Sequence, residues 1–127
     1  MKNILITGSS SGIGKVAAET LKAEGYRVFQ TGRKLLDIEN YISINLSDPN
    51  NVNKLYNYVK ENFGDIDILI NNAGEYVYSP IDKMKPDEII QIFNSNFISH
   101  YYLTSLVVPY MKQKKFGRIV NIASISG

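Results

Sequence analysis

Short apolar runs alternate with stretches of helical periodicity along the 127 residues of the chain. This alternation predicts an α/β fold, because successive parallel strands are joined by right-handed crossovers that contain helices. We therefore expect a doubly wound parallel sheet of about five strands, with ligands at the carboxyl ends of the strands. The runs with strand composition are NILIT (3–7), RVFQT (27–31), YISINL (41–46), IDILI (66–70) and GRIVNIAS (117–124).

Three helical stretches lie between these strands. The first runs from 13 to 24, the second starts at an Asp48 N-cap with Pro49 in its first turn, and the third covers about 86–112. We expect the third helix to be interrupted or bent near Pro109, since proline cannot donate the backbone hydrogen bond. The apolar stripes of the first two are Ile13, Val16, Ala17 and Leu21, and Val52, Leu55, Tyr56, Val59 and Phe63.

Composition excludes several classes of function. The net charge is only +2, which argues against a nucleic-acid partner. The absence of cysteine and the single histidine argue against a metal site. The apolar run that opens the chain is too short for a signal peptide or a membrane span, so we expect a cytoplasmic protein with no membrane partner.

A glycine-rich turn, ITGSSSGIGK, joins the first strand to the first helix. Its glycines, Gly8, Gly12 and Gly14, allow backbone N–H groups to approach a pyrophosphate, whose charge the helix N-terminus favours. The alternative is that the glycines only let the helix pack close to the strand. A P-loop is excluded, because the spacing is too long and Val16 stands where a magnesium-binding hydroxyl belongs.

Four segments, in order, resemble the successive motifs of the short-chain dehydrogenase/reductase family. They are TGSSSGIG (7–14), NNAG (71–74), NSNF (94–97) and GRIVNIASISG (117–127). The resemblance implies a Rossmann-like fold and an NAD(P)-dependent oxidoreductase that interconverts a carbonyl and an alcohol. It covers the first half of the family's fold, so we expect residues 1–127 to form an NAD(P)-binding domain that is incomplete, with its sheet truncated at the C-terminal side.

The resemblance also implies the site residues. Those that would contact the cofactor's ribose and pyrophosphate are Gly8, Ser10, Gly12, Ile13 and Gly14, and those whose backbone would close the groove are Asn72, Ala73 and Gly74. By the same resemblance, Asn96 would hold a water in a proton relay and Ser124 would hydrogen-bond the substrate oxygen.

The family's tyrosine and lysine are the missing part of this set. The resemblance calls for a Tyr-x-x-x-Lys motif a dozen or so residues after Ser124, and the 127 residues stop before it. Tyr56 and Lys60 have the spacing but belong to an apolar helical stripe, which favours a structural role. We therefore expect the chain alone to be inactive. A non-catalytic nucleotide-binding protein or pseudoenzyme remains the alternative.

Cofactor choice is predicted at the end of the second strand. In NAD-preferring proteins of this fold an acidic residue there binds the ribose 2′-OH, whereas here Gly32 and Arg33 follow the strand. Pairing of Arg33 with a 2′-phosphate predicts a preference for NADP(H) over NAD(H) of roughly ten- to hundred-fold. The alternative is a solvated arginine. Asn45 stands where the family has an aspartate, so its amide oxygen is expected to accept from adenine.

The long helix carries the remaining predictions. His100 lies one turn beyond Asn96, and we expect it to be structural. The family uses this helix in its subunit interface, so the resemblance implies a homo-oligomer. With no strand beyond the fifth, we expect the isolated chain either to self-associate through this helix and the edge of that strand, or to be only marginally stable.

Overall fold

The computed structural model describes residues 1–124 and contains a five-stranded parallel sheet with the order β3-β2-β1-β4-β5. The predicted fold class is therefore confirmed. Residues 125–127, the end of the last motif, lie outside the described residues. The strands are β1 (Asn3–Ile6), β2 (Arg27–Gly32), β3 (Tyr41–Ser43), β4 (Ile68–Asn71) and β5 (Arg118–Asn121).

The helices differ from the sequence prediction at the start of the second and within the third; the N-cap of the second is Pro49 rather than Asp48, although the Asp48 carboxylate accepts the Asn50 N–H at 3.0 Å. They are α1 (Gly12–Ala23), α2 (Asn50–Asn62), α3 (Pro86–Phe93) and α4 (Ser99–Lys114), with a short 3₁₀ turn at Ile81–Lys83. The long third helix is interrupted at Asn94–Ile98, where one wide π-helical turn separates α3 from α4. Pro109 instead lies inside α4. Turns of this kind are rare and frequently mark functional sites.

Apolar side chains cover both faces of the sheet, as the continuous runs predict for parallel strands. On one face, Leu5 and Leu69 pack in a cluster with residues of α2 and α4. On the other, Ile4 and Ile6 pack in a cluster with Ala18 of α1. The carboxyl ends of β1, β2 and β4 consequently meet at one edge between these helices.

The packing face of α1 contains Ala17 and Leu21 of the predicted stripe but not Ile13 and Val16. Ile13 and Val16 are 68% and 63% exposed, whereas Gly14 and Ala18 are buried. Small residues let this helix approach the sheet closely, and the larger side chains consequently turn outward. The prediction was wrong for Ile13 and Val16 as core residues.

The outer edge of β5 has no neighbouring strand within residues 1–124. Val120 and the adjacent Ile122 are 42% and 38% exposed. None of the helices in this part of the chain has the length and apolar character needed to span a membrane.

Candidate functional site

The three glycines of the turn differ in what surrounds them. A Cβ on Gly8 would lie 2.7 Å from the Ala73 Cα, and one on Gly14 would lie 2.4 Å from the Gly8 carbonyl oxygen. These two glycines therefore permit close packing. Gly8 and Gly12 both have a positive φ, +64° and +60°, which favours glycine, but Gly12 differs in that a Cβ there would meet nothing within 4 Å. Gly12 thus leaves open space at the N-terminus of α1, which suits a phosphate group.

Thr7 ties the glycine turn to the loop after β4. Its buried hydroxyl oxygen accepts the N–H groups of Asn72 and Ala73 at 3.1 and 2.9 Å. The Asn72 side chain in turn donates to the Gly8 carbonyl oxygen at 2.9 Å. Sequence reasoning assigned Thr7 no role, although a hydroxyl residue directly before the first glycine was a usable signal.

A cavity of about 360 Å³ opens at the carboxyl ends of β1, β2 and β4. Its volume falls in the range of small-molecule sites. It unites the glycine turn, the end of β2 and the loop after β4, as the sequence predicts. The residues that line it are Gly8, Ser10, Ser11, Thr31, Gly32, Arg33, Lys34, Ile44, Leu46, Asn72, Ala73, Gly74 and Ser95.

Asn45 does not line this cavity, although its two neighbours do. Its side-chain oxygen accepts the Ser47 N–H at 2.9 Å and so forms a local turn. Its carbonyl oxygen accepts from the Asn51 side chain at 2.8 Å. Contact between Asn45 and adenine stays a prediction, and the amide oxygen already has one backbone partner.

The end of β2 has no room for an acidic side chain without rearrangement. A Cβ on Gly32 would lie 2.7 Å from the Ser10 hydroxyl oxygen and 2.9 Å from the Tyr41 hydroxyl oxygen. The Tyr41 hydroxyl donates to the Lys34 carbonyl at 2.6 Å, and burial raises the pKa of this tyrosine. The basic residues Arg33 and Lys34 therefore dominate this side of the cavity.

Arg33 is engaged in an ion pair that sequence reasoning missed. Its guanidinium lies 2.7 Å from the Glu75 carboxylate. Glu75 directly follows the NNAG segment, so the two residues come from loops on opposite sides of the cavity. The predicted choice between a phosphate-binding and a solvated arginine did not include this third arrangement.

Asn96 lies in the wide turn between α3 and α4. Its side-chain oxygen accepts the Glu75 N–H and its amide donates to the Glu75 carbonyl oxygen, both at 2.7 Å. Both polar side-chain atoms thus hold the loop after β4. The predicted contact of Asn96 with a relay water stays a prediction.

A second cavity, of about 800 Å³, shares Asn72, Ala73 and Gly74 with the first. Asn96, Ser124 and the exposed Ile13 all line this second cavity. The predicted catalytic residues Asn96 and Ser124 therefore line a cavity that adjoins the first one, and we call the two adjoining cavities the cleft. The other lining residues are Tyr76, Phe97, His100, Tyr101, Thr104, Asn121, Ile122 and Ala123.

His100 has a defined contact in this cleft. Its Nε2 lies 2.6 Å from the Ala73 carbonyl oxygen, which assigns the proton to that nitrogen. Burial lowers the pKa of His100, and the bond to Ala73 partly opposes that shift. The contact supports the structural role predicted for His100, because it holds the NNAG segment against α4.

Comparison with known proteins agrees with this arrangement. The profile described as short chain dehydrogenase matches residues 2–127. The chain belongs to the short-chain dehydrogenase family. Family members are oxidoreductases that bind NAD(P)(H), and residues from each of the four motifs line the two cavities described above.

Individual short-chain dehydrogenase relatives cover nearly all of the chain. The 3-oxoacyl-(acyl-carrier-protein) reductase FabG of Haemophilus influenzae is 36% identical, with 99% of this chain and 56% of the relative covered. The D-beta-hydroxybutyrate dehydrogenase of Cupriavidus necator is 33% identical, with coverages of 99% and 54%. The chain therefore spans about half the length of these relatives.

Solved structures of the family show the same fold. Ligand-free aldohexose dehydrogenase of Thermoplasma acidophilum superposes with a TM-score of 0.86 at 30% identity, covering 97% of this chain and 49% of that one. A short-chain dehydrogenase from Streptomyces avermitilis gives a TM-score of 0.87 at 28% identity, with the same coverages.

The Tyr-x-x-x-Lys spacing that the short-chain dehydrogenases use occurs away from this cleft. Tyr56 packs against the core of the sheet, with the Lys60 ammonium 5.9 Å from its ring, as predicted. Tyr110 and Lys114 have the same spacing, which sequence reasoning missed. Both pairs line a surface pocket beside Asp65, which precedes β4 and lies toward the opposite end of the sheet.

Proposed function

We propose that the chain is the cofactor-binding portion of an NADP(H)-dependent oxidoreductase that interconverts a carbonyl and an alcohol. The observation that carries the proposal is the pair of adjoining cavities, one lined by Gly8, Ser10 and Ser11 of the glycine turn and the other by Asn96 and Ser124. The relatives named as a reductase and a dehydrogenase support the same reaction class.

Different residues along the cleft would bind different parts of the cofactor and the substrate. Backbone N–H groups around Gly12 hold the pyrophosphate at the start of α1, with Ser10 beside the adenosine half. Ile13 and the segment from Asn72 to Gly74 flank the nicotinamide half. The dinucleotide, when bound, supplies or accepts the hydride. The Ser124 hydroxyl hydrogen-bonds the reacting oxygen of the substrate and orients it.

The preference for NADP(H) is supported by charge and space at the end of β2. Arg33 and Lys34 line the first cavity, of about 360 Å³, which would hold the adenosine half of the cofactor and is called the adenosine cavity. Gly32 itself has no carboxylate to bind a ribose 2′-OH, and a side chain there would require Ser10 and Tyr41 to shift. The positive charge of Arg33 and Lys34 favours a 2′-phosphate, although Arg33 is already paired with Glu75.

Calorimetric titration of NADP⁺ and NAD⁺ tests the proposal. The wild-type chain is expected to bind both, with NADP⁺ bound about ten-fold more tightly, because one charge-assisted contact contributes about 1.5 kcal/mol or more. Arg33→Ala should remove this difference, whereas Arg118→Ala, the same change at the exposed start of β5, should preserve it. Equal affinities of the wild-type chain for NADP⁺ and NAD⁺ would show that Arg33 does not determine cofactor preference.

A turnover assay separates the alternative function. A non-catalytic nucleotide-binding protein would bind the dinucleotides in the same way. We expect the 127-residue chain to bind NADPH without measurable reduction of aldehydes or ketones, because its described Tyr-x-x-x-Lys pairs lie outside the cleft. Loss of an acid/base pair alone lowers rates by about 10² to 10⁴. Turnover in the ordinary range of enzymes would overturn this expectation.

Self-association is the remaining part of the proposal. Exposed apolar side chains follow the outer surface of α3, the wide turn and the start of α4. They are Ile90, Phe93, Phe97 and Tyr101, each more than half exposed. An apolar surface of this kind is typical of a protein interface.

A further inference from the structure

The ion pair joins Arg33, which lines the adenosine cavity, to Glu75, which directly follows the lining residue Gly74. Arg33 follows β2 and Glu75 follows β4, while β1 lies between these strands in the sheet. Neighbouring strands are about 4.8 Å apart, so the ends of β2 and β4 are roughly 10 Å apart and the two side chains must reach toward each other. The glycine turn that would hold the cofactor begins at that end. A ligand group that reaches Arg33 from the adenosine cavity therefore competes with Glu75 for it.

Glu75 is the fixed partner of the two. The Asn96 side chain holds its backbone N–H and carbonyl groups. Its carboxylate also accepts from the Ser95 hydroxyl at 3.1 Å and from the Gln91 amide at 3.5 Å. The Glu75 side chain is 20% exposed, whereas that of Arg33 is 50% exposed. A phosphate would consequently have to attract Arg33, because Glu75 cannot follow.

We propose that Glu75 sets cofactor selectivity by competing with the 2′-phosphate for Arg33. This inference rests on the dinucleotide-binding function proposed above. To reach the phosphate, the guanidinium either leaves Glu75 or bridges both anions, and bridging places like charges close together. NAD⁺ has a hydroxyl at this position, so it leaves the ion pair intact. Glu75 therefore weakens the binding of NADP⁺ but not that of NAD⁺. It thereby reduces the preference for NADP⁺ over NAD⁺ that Arg33 creates.

The test compares NADP⁺ and NAD⁺ affinities of wild type and Glu75→Gln by calorimetry. The glutamine keeps the size of the side chain and an acceptor for Ser95 but removes the charge. We expect NADP⁺ to bind about two- to five-fold more tightly, the range that a partly exposed ion pair supports, and NAD⁺ to bind as before. The gain should shrink at 0.5 M salt, because salt screens charges at a surface.

Two control variants locate the effect. Glu61→Gln removes the same charge from the exposed surface of α2 and should change neither affinity. In an Arg33→Ala background, Glu75→Gln should lose most of its effect on NADP⁺. Persistence of the full gain there would overturn the proposal, since Glu75 would then act without Arg33. Glu75→Ala repeats the measurement should the glutamine variant fail to fold.

The outcomes distinguish this inference from the proposed function. A folded wild-type chain that binds neither dinucleotide would overturn both. Unchanged affinities in Glu75→Gln, with binding intact, would overturn only the role of Glu75. Weaker binding of NADP⁺ by Glu75→Gln would also overturn it, because Glu75 would then be orienting Arg33 toward the phosphate.

Discussion

The Thr7 hydroxyl links the glycine turn to the loop after β4, and its removal should weaken the connection between these two loops most clearly. Thr7→Val keeps the shape of the side chain but removes the oxygen that accepts the Asn72 and Ala73 N–H groups at 3.1 and 2.9 Å. Thr7 is fully buried, and Asn72 and Ala73 are partly buried. Water can therefore replace the lost acceptor only in part.

The magnitude follows from the two orphaned donors. A buried group left without a partner costs about 1–3 kcal/mol, and partial burial favours the lower end. We expect Thr7→Val to reduce the free energy of unfolding by about 2 kcal/mol, which is roughly a 30-fold change in the folding equilibrium. With a slope of about 1.5 kcal/mol per molar urea, the unfolding midpoint should fall by about 1.3 M.

Urea unfolding followed by circular dichroism measures this change, and Thr7→Ser is the matched control because it retains the hydroxyl. We also expect Thr7→Val to bind NADP⁺ and NAD⁺ more weakly in equal proportion, since the loops on both sides of the cleft lose a common anchor. A Thr7→Val chain within about 0.5 kcal/mol of wild type would refute the argument, because that margin is typical of surface substitutions.

Two further predictions concern His100 and the outer helices. Burial lowers the pKa of His100 in the folded chain, so the unfolded chain takes up the proton at a higher pH. The free energy of unfolding should therefore fall as the pH drops from about 6.5, the ordinary pKa of histidine, toward the lower pKa of the folded state. The decrease is at most about 1.4 kcal/mol per pH unit. His100→Gln should flatten this part of a pH series of urea unfolding, and an unchanged profile would contradict it. Self-association of the chain at micromolar concentration should weaken in Phe93→Lys and persist in Val16→Lys, an equally exposed site on the other side of the sheet. Sedimentation checks this, and a monomeric wild type would refute the interface.

Sequence patterns predicted which segments along the chain form strands and where the glycine turn lies, because both depend on local features. Alternation of apolar and helical segments marks βαβ units wherever they occur. The NNAG segment also directly follows β4, where the resemblance placed it. Strand ends, by contrast, depend on pairing, and β3 is shorter than its apolar run because only Tyr41–Ser43 pair with β2.

Contacts between distant segments decided the details of the site. Thr7 and Ala73 are 66 positions apart, and no local pattern indicates that one accepts a hydrogen bond from the other. The pairing of Arg33 with Glu75 likewise requires two loops to meet across β1. Ile13 turns toward the cleft because Gly14 and Ala18 allow closer packing of α1 than its larger residues would. Composition and periodicity therefore determined which elements form, whereas side-chain packing and long-range hydrogen bonds determined which residues face the cleft.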